Sequence, residues 1–308
     1  MAALALAVTA LLDARDARRP PPGELVELAD GRMVHLQVAE IDHAGPTIVF
    51  EAGQGQFSPV FAWLQDALAE HVTVVAYDRP GYGWSTPADR PADAGATADD
   101  LHEALAARSL EGPYLLVGHS LGAFYVRTFA ERYPDQTAGI VLLDPAHEQQ
   151  LDRLPAEAVR EFEEAGPMFR WAARLARLGL FRLSNPQEDA TSDLPGAAAT
   201  QIVTVSAAAR YWQTAGAEVD AFETLAAAPP HELGDLPVMI ISAGRDVPDA
   251  PPIRETMDDL HHELASRAPH ATRHLIEDAD HLTLLTVEEH ARAVSDLISD
   301  LLPPTADD

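Results

Sequence analysis

The chain of 308 residues contains no cysteine and no lysine. Without cysteine there is neither a disulfide framework nor a thiolate to hold a metal or attack a substrate, and the redox compartment stays open. Without lysine, all 21 basic residues are arginine, set against 49 acidic ones for a formal charge of -28. Such a surface repels phosphate backbones and anionic lipid, which disfavours nucleic-acid partners. A solvated acidic coat accounts for it; adaptation to high salt is the sharper alternative, under which screening would raise the melting temperature. Long apolar runs are missing too. Residues 1–12, MAALALAVTALL, are too short to span a bilayer and lack the basic start of a signal peptide. There is no phosphate-cradling or dinucleotide glycine loop. The acidic pairs Asp99-Asp100, Glu163-Glu164 and Asp258-Asp259 lack histidine at metal-ligand spacing and read as solvated helix faces.

What is present is the pattern of an α/β protein. Glu24 to Leu28 and Arg32 to Ala39 alternate apolar and polar residues around Asp30-Gly31, a tight-hairpin signal. Short apolar runs follow at Thr47–Phe50, Val72–Tyr77, Tyr114–Val117, Gly139–Leu143, Val238–Ser242 and Thr272–Ile276, which predict strands buried on both faces. Helical spacing separates them at Val60–Ala69, Ala98–Arg108, Leu121–Tyr133 and Val287–Leu302. Alternation of this kind implies right-handed crossovers and a mainly parallel sheet flanked by helices. From residue 146 to 236 no strand pattern appears, and helical stretches at Ala156–Ala165, Met168–Leu180 and Ala199–Ala215 predict an inserted helical cap. The expected organisation is an apolar leader and proline-rich linker at 1–22, a core at 23–145 and 237–302, the cap at 146–236 and an acidic tail at 303–308.

In an open parallel sheet, ligands bind outside the carboxyl ends of the strands, so the residues after each run matter most. Tyr114 to Ala123 reads YLLVGHSLGA and sets Ser120 between Gly118 and Gly122 immediately after a strand. A Gly-x-Ser-x-Gly match arises by accident in roughly one chain of this length in ten, so context must decide. Context is supplied by EAGQG at Glu51–Gly55, DRPGYGWS at Asp78–Ser85, AGRDVPD carrying Asp246, and EDADH carrying His281, each just past its own run. A serine hydroxyl needs a base to become a nucleophile, and the base needs a carboxylate to hold its tautomer. Serine, aspartate and histidine occur here in the chain order of the nucleophile elbow.

On GHSLG, YDRPGYGWS, LLDPAHE and the late Asp and His, the chain resembles the α/β-hydrolase superfamily over roughly Glu24 to Leu302. The resemblance implies an eight-stranded, mainly parallel sheet and an esterase-like member with a serine nucleophile. It implies Ser120 as nucleophile, His281 as general base and then acid, and Asp246 as the orienting carboxylate, with Asp144 after the preceding strand as the alternative acid. The backbone amides of Gln54 and Leu121 would form the oxyanion hole. Many relatives carry His-Gly where this chain has Ala52-Gly53, which keeps a backbone donor but removes a histidine behind it. Gly53, His119, Trp171, Tyr211 and Trp212 are candidate pocket-lining residues, and Asp78-Arg79 is expected to be a salt bridge bracing its loop.

The implied function is a carboxylesterase acting on neutral apolar esters through an acyl-enzyme, with no cofactor and no metal. A proline-directed serine aminopeptidase is the alternative, with Glu161, Glu163 or Glu218 receiving the free amino group; a non-catalytic small-molecule binder of the same fold is a third reading. The expected partner is a small ester rather than a nucleic acid, membrane contact is confined to residues 1–12, and the oligomeric state is left open. A cytoplasmic setting is favoured over export or anchoring.

Overall fold

The computed structural model describes residues 9, 11–12, 15, 20–41, 45–87 and 90–303. Eight strands form one sheet: β1 (Glu24–Glu27), β2 (Met33–Ala39), β3 (Thr47–Glu51), β4 (Val74–Tyr77), β5 (Tyr114–His119), β6 (Thr137–Leu143), β7 (Val238–Ala243) and β8 (Thr272–Ile276). Their spatial order is β1-β2-β4-β3-β5-β6-β7-β8. The β1–β2 hairpin turns at Asp30-Gly31, where Gly31 takes φ 84° and the Asp30 carboxylate accepts from the Arg32 amide at 3.0 Å. β2 runs antiparallel to both β1 and β4, and every pairing from β4 through to β8 is parallel.

The helices are α1 (Ala62–Leu68), α2 (Ala94–Ala107), α3 (Gly122–Arg132), α4 (Gln150–Arg153), α5 (Ala156–Arg177), α6 (Gln187–Ala190), α7 (Gly196–Ser206), α8 (Ala209–Asp220), α9 (Phe222–Ala226), α10 (Arg254–Ser266), α11 (Thr283–Thr286) and α12 (Glu288–Ser299). Strand side chains alternate between the two faces, so each central strand feeds two cores. On one face Val49, Leu116 and Ile240 pack with Leu101 of α2, Phe129 of α3 and Leu264 of α10. On the other, Ile48, Phe50, Val117 and Ile241 pack with Leu64 of α1 and Val294 and Ile298 of α12. This double coverage is why the central strands lack a polar alternation. β8 differs from expectation: it is the sheet edge, and Thr272 and Leu275 are exposed. A strand with one neighbour lies beyond the reach of the helices that bury the centre.

Between β6 and β7 the chain is helical, from α4 to α9. The two helices expected at Ala156–Ala165 and Met168–Leu180 are one, α5, with Pro167 inside it. An interior proline costs roughly 3 kcal/mol by removing a backbone bond and crowding the preceding turn. Packing of Ala172, Ala173 and Ala176 against Tyr211 and Trp212 of α8 offsets that local preference. The single helix expected at Ala199–Ala215 is instead split into α7 and α8 at Ala208, which is extended (φ -92°, ψ 144°). The indole of Trp212 then donates to the Ser206 carbonyl at 2.7 Å and closes the break.

Of the leader, Thr9 is buried and its hydroxyl oxygen lies 2.6 Å from where a side chain on Gly179 would begin. Residues 304–308 of the acidic tail lie outside the described residues.

Candidate active site

Ser120 sits at the turn from β5 into α3 with φ 53°, a left-handed backbone that non-glycine residues rarely adopt. The turn is made possible by its two glycines. A Cβ on Gly118 would lie 2.8 Å from the Gly122 carbonyl oxygen, and one on Gly122 would lie 2.4 Å from the Glu51 carbonyl oxygen. The Ser120 amide donates to Leu143 O at 3.0 Å, and Ser120 O accepts from Ala146 N at 3.0 Å, so the ends of β5 and β6 fix the turn from below.

His281, in the loop after β8, brings Nε2 to 3.0 Å from Ser120 Oγ. Its Nδ1 is 2.6 Å from a carboxylate oxygen, and that carboxylate is Asp144, not Asp246. The structure therefore corrects the expected acid. Asp144 follows β6 directly, is fully buried and holds φ 41°, a second left-handed non-glycine residue beside the first. Its other oxygen accepts from the Ala243 amide at 3.1 Å and from Arg254 Nη1 at 2.6 Å. Burial is the largest single influence on this carboxyl and pushes it up. The hydrogen bond and charge of His281 and the charge of Arg254 together outweigh burial and hold it well below the usual carboxylate range.

Asp246 has a different task. Its Oδ1 accepts from the amides of Ile253 at 2.7 Å and Arg254 at 3.0 Å, which ties down the start of α10. By placing Arg254, Asp246 acts on Asp144 at one remove. Asp280 likewise shapes its own loop, accepting from the Leu282 and Thr283 amides.

His119 lies beneath His281, with ring centres 4.7 Å apart. Its Nε2 is 2.9 Å from the His281 carbonyl, which can only accept, so His119 carries its proton there. The Gln56 carboxamide stands 2.8 Å from the opposite nitrogen. Burial, then the charge of His281, pushes His119 down to about 3. The unfolded chain thus binds a proton between about pH 6.5 and pH 3 that the native state refuses. Stability is full above that window and falls by about 1.4 kcal/mol per pH unit within it. The expected result is a urea midpoint that drops between pH 7 and pH 5, with a shallower drop in His119→Gln; equal slopes in the two proteins would contradict it.

The loop after β3 is held by a buried ionic cluster. Arg79 does not pair with Asp78 as the sequence suggests. Its Nη1 donates to Glu51 at 2.6 Å and Ala52 O at 2.5 Å, its Nη2 to Gly53 O at 2.9 Å, and its Nε to Glu218 of α8 at 2.9 Å. Tyr77 donates to Glu51, and Tyr82 donates to Glu218 at 2.7 Å. Burial, offset first by Glu218 and then by Glu51, leaves the guanidinium firmly charged. Asp78 serves elsewhere, at 2.7 Å from His35 Nδ1 and accepting the Ser58 and Trp84 amides.

This cluster has a geometric consequence. In a planar trans peptide the carbonyl and the following N–H point in opposite directions. Drawing Gly53 O towards Arg79 turns the Gln54 amide away from it, and a Cβ on Gly53 would lie 3.1 Å from Ser120 Cβ. Among the described residues neither the Gln54 nor the Leu121 amide is given to a protein acceptor. The Leu121 amide also stands at the start of α3, where the helix favours negative charge.

Next to these groups is a cavity of about 230 Å³, bounded by Gln54, Gly55, Phe169, Ile202, Tyr211 and Leu282 among others. Among the described residues no side chain in its lining is charged. Tyr211 lines it as expected and donates to Gly55 O at 2.5 Å. Trp171 does not: it is 58% exposed on the outside of α5. Trp212 is buried among Tyr211, Phe169 and Phe181 rather than lining the cavity. Leu282, which follows His281, was not singled out from the sequence; Phe169 and Ile202 carried no signal separating them from other apolar helix residues.

Comparison with known proteins agrees with this fold. A family model described as "Alpha/beta hydrolase family" matches residues 48–297. A 2-(acetamidomethylene)succinate hydrolase of Mesorhizobium japonicum is 36% identical over 101 residues, 33% of this chain and 36% of that protein. The chain spans about a third to a half of the length of the first curated relatives it matches, from 31% to 46%. Among solved structures, a thermophilic esterase from Thermogutta terrifontis aligns with TM-score 0.61 at 20% identity, covering 90% of this chain and 98% of that one. An enol-lactonase from Burkholderia xenovorans LB400 aligns with TM-score 0.61 at 20% identity, covering 90% and 99%. At such identities the likeness is one of fold.

Proposed function

Because the chain belongs to the alpha/beta hydrolase family, we propose that it is a serine hydrolase, a carboxylesterase taking neutral, fairly apolar esters through an acyl-enzyme. The observation that carries this reading is the run of contacts Ser120 Oγ–His281 Nε2 at 3.0 Å and His281 Nδ1–Asp144 at 2.6 Å. Ser120 Oγ attacks the ester carbonyl as Nε2 takes its proton. The resulting oxyanion is held by the Gln54 and Leu121 amides, in place before the reaction starts. As the tetrahedral intermediate collapses, the C–O bond to the alcohol breaks and Nε2 returns the proton to the leaving oxygen. Water then attacks the acyl-serine by the same route, releasing the acid and restoring the hydroxyl. Asp144 keeps the imidazole in the tautomer these steps need.

The uncharged lining supports a neutral substrate, and the cavity falls below the roughly 300–1,000 Å³ of pockets for drug-sized ligands. Across p-nitrophenyl esters, kcat/KM is expected to peak at short acyl chains and fall by about tenfold or more for a dodecanoyl ester. A steady rise to the longest chain would reject the assigned pocket. The test of the nucleophile is labelling by a fluorophosphonate, expected in the wild type and absent in Ser120→Ala; labelling that persists in the variant would refute the assignment.

The aminopeptidase reading has less support. Glu218 is buried and engaged by Arg79 and Tyr82, and Glu161 and Glu163 are exposed on α5. Proline amides are accordingly expected to be poor substrates beside simple esters.

A further inference from the structure

We propose that the outer face of the second half of α5, from Met168 on, with the turn that follows it, docks on an anionic lipid surface, while the exposed Glu161, Glu163 and Glu164 of its first half stay outside the contact. Residues 168–183 read MFRWAARLARLGLFRL and contain four arginines and no acidic residue, in a chain whose formal charge is -28. Five of the ten exposed large apolar side chains among the described residues fall in this segment: Met168, Trp171, Leu178, Leu180 and Leu183, the last 84% exposed. Met168, Trp171, Leu175 and Leu178 recur at spacings of three and four, so they form one stripe along the helix. Ala172, Ala173 and Ala176 form the buried stripe on another side. The helix is thus apolar both towards the protein and away from it, with arginines between. Arg174 and Arg177 are exposed and have no acidic partner among the described residues. Gly179, in the left-handed region at φ 77°, then ends the helix, and Leu180 and Leu183 are exposed in the turn that follows.

An apolar, aromatic stripe edged by arginine matches a bilayer interface, where the rings and aliphatic groups enter the headgroup layer and the guanidinium groups meet phosphate. The acidic remainder of the molecule does not prevent this. Fields fade over about 8–10 Å at physiological ionic strength, so headgroups against residues 171–178 meet chiefly Arg174 and Arg177, Arg170 being paired with Asp220 at 3.0 Å. A second copy of the chain fits less well, because a two-fold contact through this face sets its arginines against their own copies. Thr9 comes to the same place, lying against Gly179, and Leu11 is 71% exposed. The contact is peripheral; among the described residues no helix is long and apolar enough to cross a membrane.

The test is co-sedimentation of the full chain with phosphatidylcholine vesicles, with and without phosphatidylglycerol. Binding is expected only to the anionic vesicles and to be lost in high salt. Arg174→Gln and Arg177→Gln should each weaken it about fivefold, and Trp171→Glu with Leu183→Glu should abolish it. Hydrolysis of a soluble short ester should be unchanged in all of these variants, which establishes that they fold. Binding equal on neutral vesicles, or absent from both kinds, overturns the proposal. Binding unaffected by the variants assigns it to residues 1–12 and also overturns it. A lipid-free dimer lost in Trp171→Glu gives the face to a second copy instead.

Discussion

Asp144→Asn is expected to lower kcat for a short ester by about 10⁴-fold, while Asp246→Asn leaves kcat near the wild-type value. Both are aspartates just past neighbouring strands, so the contrast tests position alone. Asparagine at 144 would keep the size of the side chain but offer His281 Nδ1 an amide, favouring the tautomer with its proton on Nε2. That nitrogen could then no longer accept from Ser120. Asparagine at 246 would weaken the anchor of α10, an effect on the order of 1 kcal/mol in stability. It would reach Asp144 only through Arg254, whose Nη1 stands 2.6 Å from that carboxylate. Steady-state kinetics with p-nitrophenyl butyrate, alongside thermal melts, separates the two effects. Inactivation by the change at 246 with full activity in the change at 144 would restore the assignment suggested by sequence.

Arg79→Met is the second large effect. Removing the guanidinium leaves Glu51 and Glu218 buried without their shared cation, an expected loss of about 3–5 kcal/mol of stability. It also frees the Ala52 and Gly53 carbonyls, so the Gln54 amide is no longer aimed. On the proposed mechanism this removes one oxyanion donor, an expected cost of about 10²–10³ in kcat, with KM for a small ester little changed. Glu218→Gln provides the gentler case, because the amide oxygen still accepts from Tyr82 and Arg79 retains Glu51. It should fold, with an intermediate fall in the rate of acylation by a fluorophosphonate. A variant that is destabilised but acylates at the wild-type rate would mean that the cluster braces the fold without aiming the amide.

The sheet, the elbow serine and the histidine were legible because each depends on a short-range pattern. Strands buried on both faces read as unbroken apolar runs, and Gly118 and Gly122 mark a turn where a Cβ would collide with backbone. The acid was not legible in the same way. β6 and β7 are adjacent, so Asp144 and Asp246 both leave the sheet at the same rim. What separates them is backbone path: Asp144 takes a left-handed conformation that aims it at His281, whereas the chain after β7 turns Asp246 back onto α10. Residue type and spacing do not encode that difference. Nor does spacing encode the partners of Arg79, which come from residue 51 and from residue 218 and meet only when α8 packs on the loop after β4. The continuity of α5 through Pro167 escaped for a related reason, since a local breaker was judged without the neighbour that supports it.

The tie from Glu218 to Arg79 makes shelter and competence one variable. A swing of α8 that admits a bulky ester would, in the same motion, slacken the grip on the Gly53 carbonyl. On the proposed mechanism, an opened molecule is therefore a slower one, and water entering through the gap meets a serine that keeps the Leu121 amide but not the aim of Gln54.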